Sequence, residues 1–94
     1  MAYVYILYSR ILDKHYIGSC LDIETRLQQH KDKTFSNGFT TRADDWELLF
    51  RIGELQYKQA RAMEEHIKKM KNRKYIESLC MYSELVEKLI VRYR

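Results

Sequence analysis

Two short runs near the start of the chain, Tyr3-Val4-Tyr5-Ile6-Leu7 and His15-Tyr16-Ile17-Gly18-Ser19, are rich in β-branched and aromatic residues. The connector between them, residues 9–14, is polar enough to form a turn. This pattern predicts a β-hairpin with a loop of about four to six residues. Such a hairpin can bring the phenols of Tyr5 and Tyr16, which lie on adjacent strands, into one patch.

The size and composition of the chain favour a single domain spanning residues 1–94. Its 94 residues are 46% apolar and 13% aromatic, enough for one packed core, and proline is absent. Seventeen Lys and Arg against thirteen Asp and Glu give a net charge of +4. This moderate excess permits a polyanionic partner such as nucleic acid without requiring one.

The two cysteines and the N-terminus indicate where the protein works. Cys20 and Cys80 are far apart and belong to no C-x-x-C or Cys/His pattern, so we expect no structural zinc site. Residues 1–8 contain neither the basic region nor the apolar region of a signal peptide, and no stretch resembles a membrane span. We therefore expect a cytoplasmic protein with two reduced thiols.

The remaining pattern predicts an alternation of helices with one further strand. Asp22 is placed to cap a first helix, and apolar spacing predicts two helical regions after the third strand. The order of elements is two strands, a helix, a loop, a strand and two helical regions, which predicts an α+β fold with a small, largely antiparallel sheet flanked by helices. We place them at 22–31 (helix), 32–45 (loop), 46–52 (strand ended or bent by Gly53), 57–71 (helix) and 75 onward (helix, with Ser83 as a cap for a restart).

Four residues near the hairpin are candidates for catalysis. Tyr5 and Tyr16 supply phenols, and Arg26 and His30 share one face of the first helix because they are four positions apart. A planar guanidinium can hold phosphate oxygens, and an imidazole can donate to the same phosphate or relay a proton. We expect the hydroxyls of Tyr5 and Tyr16 to lie on the same open face as Arg26, so that one phosphate can touch all three. Structural roles are also open: strand tyrosines are usually core or edge residues, an arginine can cover apolar surface, and a solvated histidine near a helix end is the simpler alternative.

A carboxylate on the second predicted helix is the candidate metal ligand. Glu64 neighbours Met63 and Ile67 on the helical wheel, whereas Glu65 points further outward. At the rim of the buried face, Glu64 could hold a hard cation such as Mg²⁺. The alternative is an ordinary surface pair with Lys68, four positions along.

The densest basic run of the chain begins in the same helix. Its usual meaning is a solvated helix end, but beside a phosphate site it would follow a nucleic-acid backbone. The basic residues of this run are Lys68, Lys69, Lys71, Arg73 and Lys74.

These features together resemble the GIY-YIG nuclease superfamily. Tyr3-Val4-Tyr5 and Tyr16-Ile17-Gly18 resemble its paired signature, and Ser19, Arg26-Leu27 and His30 follow at the same spacing. Trp46-Glu47-Leu48-Leu49 resembles its third strand, and Glu64-Glu65-His66-Ile67-Lys68 resembles a segment of its small stand-alone bacterial members. Those members are related to the N-terminal catalytic domain of the excision-repair endonuclease C subunit. The resemblance covers about residues 3–79 and leaves 80–94 as a C-terminal helical extension.

The resemblance implies a three-stranded antiparallel sheet and hydrolysis of DNA phosphodiesters, in DNA repair or processing, with one divalent metal ion, Mg²⁺ or Mn²⁺. Carried over residue by residue, it assigns catalytic roles to Tyr5, Tyr16, Arg26 and His30 and metal binding to Glu64. Tyr3 stands where the signature has glycine. The asparagine that many members have after the glutamate has one candidate, Asn72, which comes early.

Two functions from different classes follow from this sequence. The first is a metal-dependent endonuclease. The second is a non-catalytic nucleic-acid-binding module or a subunit of a larger nuclease complex. In either case the amphipathic segment 83–94 could dock a protein partner or a second copy of the chain.

Overall fold

The computed structural model describes residues 1–31, 45–70 and 72–94 of the chain, without the side chains of His30 and Lys31. The predicted loop over 32–45, apart from Asp45, therefore lies outside the described residues. The described elements are, in chain order, β1 (Ala2–Ser9), β2 (Lys14–Cys20), α1 (Ile23–Lys31), β3 (Glu47–Leu55), α2 (Tyr57–Met70), α3 (Arg73–Met81) and α4 (Ser83–Arg92).

The three strands form one antiparallel sheet in the order β2-β1-β3, which confirms the predicted α+β architecture. The hairpin register pairs Tyr5 with Gly18 and Leu7 with Tyr16. Its loop, residues 10–13, ends at Asp13, whose φ of 52° lies in the left-handed region that Asp and Asn tolerate better than most residues. Among the described strands β2 is an edge strand, because β1 lies at the centre of the sheet.

The sheet is covered on both faces, because its strands alternate apolar residues above and below the plane. One face of β1 carries Tyr5 and Leu7, which pack with Cys20, Trp46 and Ile23 of α1. The opposite face is covered by the three C-terminal helices. The buried residues of that second core are Ala2, Val4, Ile6, Ile52, Leu55, Ala60, Met63, Ile67, Ile76, Leu79 and Leu89.

Local signals place α1 correctly and misplace the end of β3. The carboxylate of Asp22 accepts bonds from the Thr25 backbone N–H (3.2 Å) and the Thr25 hydroxyl (2.9 Å), as the predicted cap requires. Strand β3 continues through Gly53 to Leu55, so Gly53 does not end the strand. The predicted alternative, a bend, corresponds to a register shift against β1 between Ile52 and Leu55. A Cβ on Gly53 would lie 2.9 Å from Cε1 of Tyr3, so this glycine accommodates a cross-strand ring.

The C-terminal helices also depart from the prediction in detail. Asn72 caps α3 by accepting bonds from the backbone N–H groups of Lys74 and Tyr75. The predicted restart is confirmed, since α4 begins at Ser83. The cap position is Tyr82, which makes no side-chain capping bond, so the role given to Ser83 is wrong. None of the helices in the described part of the chain is long and apolar enough to cross a membrane.

Asp45 ties the hairpin loop to the segment before β3, and this contact predicts acid-sensitive stability. Its carboxylate accepts bonds from the hydroxyl of the buried Ser9 (2.6 Å) and from the backbone N–H groups of Arg10 (2.9 Å) and Ile11 (3.0 Å). The Ser9 hydroxyl most of all, and then the Ile11 N–H, lower the pKa of Asp45 below its ordinary 3.8. Since the folded pKa lies below the unfolded one, the stability from this carboxylate is present above the unfolded pKa. It is lost as pH falls through the folded pKa.

We therefore expect Asp45→Asn to lower the melting temperature at neutral pH, and the difference from wild type to shrink below pH ~4. Circular dichroism melts over a series of pH values measure this. Glu47→Gln removes an exposed carboxylate two positions along and is the control for net charge. A difference between wild type and Asp45→Asn that is the same at every pH would contradict the assignment.

Candidate active site

Tyr5 lies at the centre of the sheet and points across β2 at the position of Gly18. The Tyr5 side chain is fully buried, with 0% of its surface exposed. A Cβ on Gly18 would lie 2.4 Å from Oη and 2.5 Å from Cζ of Tyr5, so only glycine leaves room for this ring. Beyond Gly18 the phenol reaches α1, where the Arg26 guanidinium donates a hydrogen bond to its hydroxyl.

Burial has a strong effect on the Tyr5 phenol. Loss of hydration, and then the neighbouring Tyr16, raise the pKa of Tyr5 far above its ordinary 10, and Arg26 opposes them only in part. At neutral pH the phenol is therefore protonated, and it accepts the bond from Arg26. We expected the hydroxyls of Tyr5 and Tyr16 to share an open face with Arg26. For Tyr5 the contact with Arg26 is present, but the open face is wrong because α1 and Trp46 cover the ring.

Tyr16 is half-buried and stands beside Tyr5 in a row of aromatic rings. The ring centroids of Tyr5 and Tyr16 are 6.3 Å apart at an interplanar angle of 32°. On its other side, Tyr16 meets Trp46 edge to face, with centroids 6.5 Å apart. Trp46 therefore supports the site, a role that the sequence analysis missed because it treated this residue only as the start of a strand.

A cleft of about 340 Å³ opens where β2 passes into α1. Arg26 lines this cleft, and its guanidinium also contacts buried Tyr5, so the arginine joins the aromatic row to solvent-accessible space. The other polar residues that line the cleft are Ser19, Asp22, Thr25, Gln29 and Tyr57. A fixed guanidinium at the wall of a polar cleft is suited to holding a phosphate oxygen.

Glu64 of α2 approaches the same edge of the sheet from the opposite face. Its side chain is 14% exposed, and Oε1 accepts a bond from the Ser19 hydroxyl at 2.5 Å. Its second oxygen, Oε2, pairs with Nζ of Lys68 at 2.6 Å. Glu64 therefore forms the predicted pair with Lys68, and it also lies at the rim of the buried face, where the helical wheel places it. Glu65 is exposed, as expected.

Ser19 is the residue that joins the two halves of the site. It lines the cleft that contains Arg26, and its hydroxyl also donates to Glu64. Ser19 belongs to the signature stretch, but its role was not predicted from the sequence. Its position directly after Gly18 was the available signal, because successive strand residues point to opposite faces of a sheet. Gly18 consequently faces Tyr5 while Ser19 faces α2.

Two of the predicted site residues cannot be placed. The backbone of His30 belongs to α1, but its side chain lies outside the described residues, and so does Lys71. Asn72 can be placed: its Oδ1 accepts the bonds that cap α3. Within the described part of the chain, no three His, Cys, Asp or Glu residues group as a ready-made metal site.

Lys68 and Lys69 of the basic run line different clefts. Lys68 pairs with Glu64, and Arg73 pairs with Asp13 of the hairpin loop at 3.2 Å. Lys69 points to the other flank of α2, where it lines a cleft with His66 and Arg92. The α-helical period separates neighbouring lysines by about 100° around the axis, so adjacent cations face different clefts.

A sequence model of the GIY-YIG catalytic domain matches residues 1–76. The chain belongs to the GIY-YIG family. A search of curated proteins and a search of solved structures each found no significant match. The matched region runs from β1 into α3 and contains Tyr5, Tyr16, Arg26 and Glu64, whereas α4 lies beyond it. GIY-YIG domains belong to a nuclease superfamily whose members act on nucleic acid and generally depend on a divalent metal ion.

Proposed function

We propose that this GIY-YIG protein is a divalent-metal-dependent endonuclease that hydrolyses DNA phosphodiester bonds. The observation that supports this most directly is the Arg26 guanidinium, which lines an open cleft and is held by the hydroxyl of fully buried Tyr5. A cation fixed in this way is already oriented before substrate binds. Preorganised charge of this kind stabilises the added negative charge of a pentavalent phosphate without further reorganisation.

The two signature tyrosines take different roles in this proposal. Tyr5 is buried and protonated, so we assign it the positioning of Arg26. Tyr16 is the more exposed phenol, and we assign it the orientation of the attacking water. His30, one turn beyond Arg26 in α1, is proposed as a donor to the same phosphate, as the family resemblance implies.

Glu64 is the proposed metal ligand. Mg²⁺ usually keeps several waters and binds through one or two carboxylates together with substrate phosphates, so a single carboxylate at the rim of the sheet fits this cation. When bound there, a divalent cation would offset the charge on the leaving 3′ oxygen. Ser19 keeps one carboxylate oxygen oriented, while Lys68 holds the other and must give it up.

Incubation of the purified protein with branched, nicked and single-stranded DNA, with Mg²⁺, Mn²⁺ or neither, tests this proposal. We expect metal-dependent cleavage, and we expect Arg26→Lys to reduce its rate by about 100-fold or more. Lysine keeps the charge but lacks the planar fork that holds both Tyr5 and a phosphate oxygen. Preferential cleavage of branched or nicked DNA would support a role in repair or processing.

A second candidate function is a nucleic-acid-binding module without turnover. The pairing of Glu64 with Lys68 favours it, because the ammonium neutralises the charge that would attract a metal ion. DNA binding without cleavage by the wild type in any of the metal conditions would support this alternative. Equal cleavage by the wild type and Arg26→Lys would remove Arg26 from the proposed mechanism.

A further inference from the structure

A second cleft, of about 640 Å³, lies at the other end of edge strand β2. Three elements meet there: the hairpin loop, the C-terminal end of α2 and the first turn of α3. The cleft is lined by three cations, Lys14, Lys68 and Arg73, together with His15 and one carboxylate, that of Asp13. A cleft with more basic than acidic groups favours an anionic ligand.

The carboxylate in this cleft already binds the arginine. Nη1 of Arg73 lies 3.2 Å from both carboxylate oxygens of Asp13, and Nη2 donates to the Asp13 backbone carbonyl at 2.7 Å. The hydroxyl of Tyr8 also donates to Asp13, at 2.6 Å. Both partners of the ion pair are largely exposed, with side chains 50% and 62% accessible, so a solvent-borne anion can reach them. Phosphate oxygens could accept from the same Arg73 N–H groups that now hold the Asp13 carboxylate and carbonyl.

Lys68 links this cleft to the proposed active site. His15, Ile17 and Ser19 alternate on the face toward α2, and Lys68 lines the cleft while bonding to Glu64. His15 and Ser19 are four positions apart, which corresponds to about 13 Å along a strand. Since phosphates of one DNA strand advance by about 3.4 Å along the helix axis, a few nucleotides cover that distance.

We propose that this cleft binds a phosphate that flanks the scissile bond, and that Asp13 occupies Arg73 in the free protein and competes with that phosphate. The inference rests on the proposed function, because it assigns the path of the same DNA strand. Substrate then has to displace the Asp13 carboxylate. Displacement of the carboxylate opposes binding at Arg73. DNA that also binds in the cleft beside Arg26 is therefore favoured over DNA that reaches only the cleft beside Arg73.

Binding of a short fluorescein-labelled DNA duplex, measured by anisotropy in EDTA, tests the inference independently of cleavage. Asp13→Asn is a conservative change, because asparagine also tolerates the φ of 52° and keeps an oxygen for Tyr8 and Arg73. We expect it to tighten binding by about threefold or more at low salt. Glu77→Gln removes another acidic charge that acts on Arg73 and His15, from the next turn of α3. Its effect on the logarithm of the dissociation constant should be less than about half that of Asp13→Asn.

The decisive measurement is the effect of Asp13→Asn in an Arg73→Gln background. If Asp13 competes at Arg73, its replacement should no longer tighten binding there. Equal tightening in both backgrounds, or by Glu77→Gln, would mean that Asp13 acts only through general charge and would overturn the inference. A wild type that does not bind DNA would overturn both this inference and the proposed function. If Asp13→Asn tightens binding only when Arg73 is present, but no metal ion supports cleavage, the competition at Arg73 stands and only the proposed hydrolysis is overturned.

Discussion

Gly18→Ala should lower both the stability and the activity of the protein. We expect its combined effect to be larger than that of a single substitution elsewhere in the chain. The added Cβ would lie 2.4 Å from Oη of Tyr5, in a layer where Tyr5 is fully buried and its rigid ring cannot move aside. Overpacking of a well-packed core costs about 1–3 kcal/mol. Displacement of the phenol also removes the acceptor that orients Arg26, so we expect cleavage to fall by about 100-fold or more.

Two measurements separate these effects. Thermal denaturation reports the loss of stability, and the cleavage rate at a temperature where the variant is folded reports the loss of activity. Gly53→Ala is the matched control, because its Cβ would lie 2.9 Å from Cε1 of Tyr3, a ring that is only half-buried and can shift. We expect that variant to melt slightly lower and to cleave nearly as well as the wild type. If Gly18→Ala kept full activity, the Tyr5–Arg26 contact would have no part in catalysis.

Glu64→Gln should nearly abolish metal-dependent cleavage while leaving the fold and DNA binding intact. The amide keeps its shape and can still accept from Ser19, but it lacks the charge that attracts a divalent cation. We expect a loss in cleavage rate of roughly 100-fold or more. Loss of the pair with Lys68 should lower stability by only about 0.3–0.5 kcal/mol, as for other pairs four residues apart on a helix.

Glu65→Gln is the matched control, since it removes the same charge from the next position of the same helix. Glu65 is exposed and makes no ion pair within the described residues, so its replacement should leave the cleavage rate unchanged. Measurement of cleavage against metal concentration adds a further check, because a lost ligand should raise the concentration of Mg²⁺ or Mn²⁺ required. Equal cleavage by the two variants would exclude Glu64 as the metal ligand.

The sequence predicted the hairpin, the antiparallel sheet and the bounds of α1 because these depend on interactions between residues close in the chain. The alternation of apolar residues over 3–7 and 15–19 specifies two strands joined by a short turn. Asp22 caps α1 through contacts only three positions away. The family resemblance then indicated which side chains to examine, and the match over residues 1–76 confirmed the family.

Only the tertiary structure decided how these side chains are used. Burial of Tyr5 depends on α1 and Trp46 covering one face of the sheet, and the partner of Glu64, Ser19, is 45 positions away. The contact between Asp13 and Arg73 spans 60 positions. Such pairings follow from the order in which strands and helices pack, which no local pattern encodes. For the same reason Lys68 and Lys69, adjacent in the basic run, line separate clefts in space.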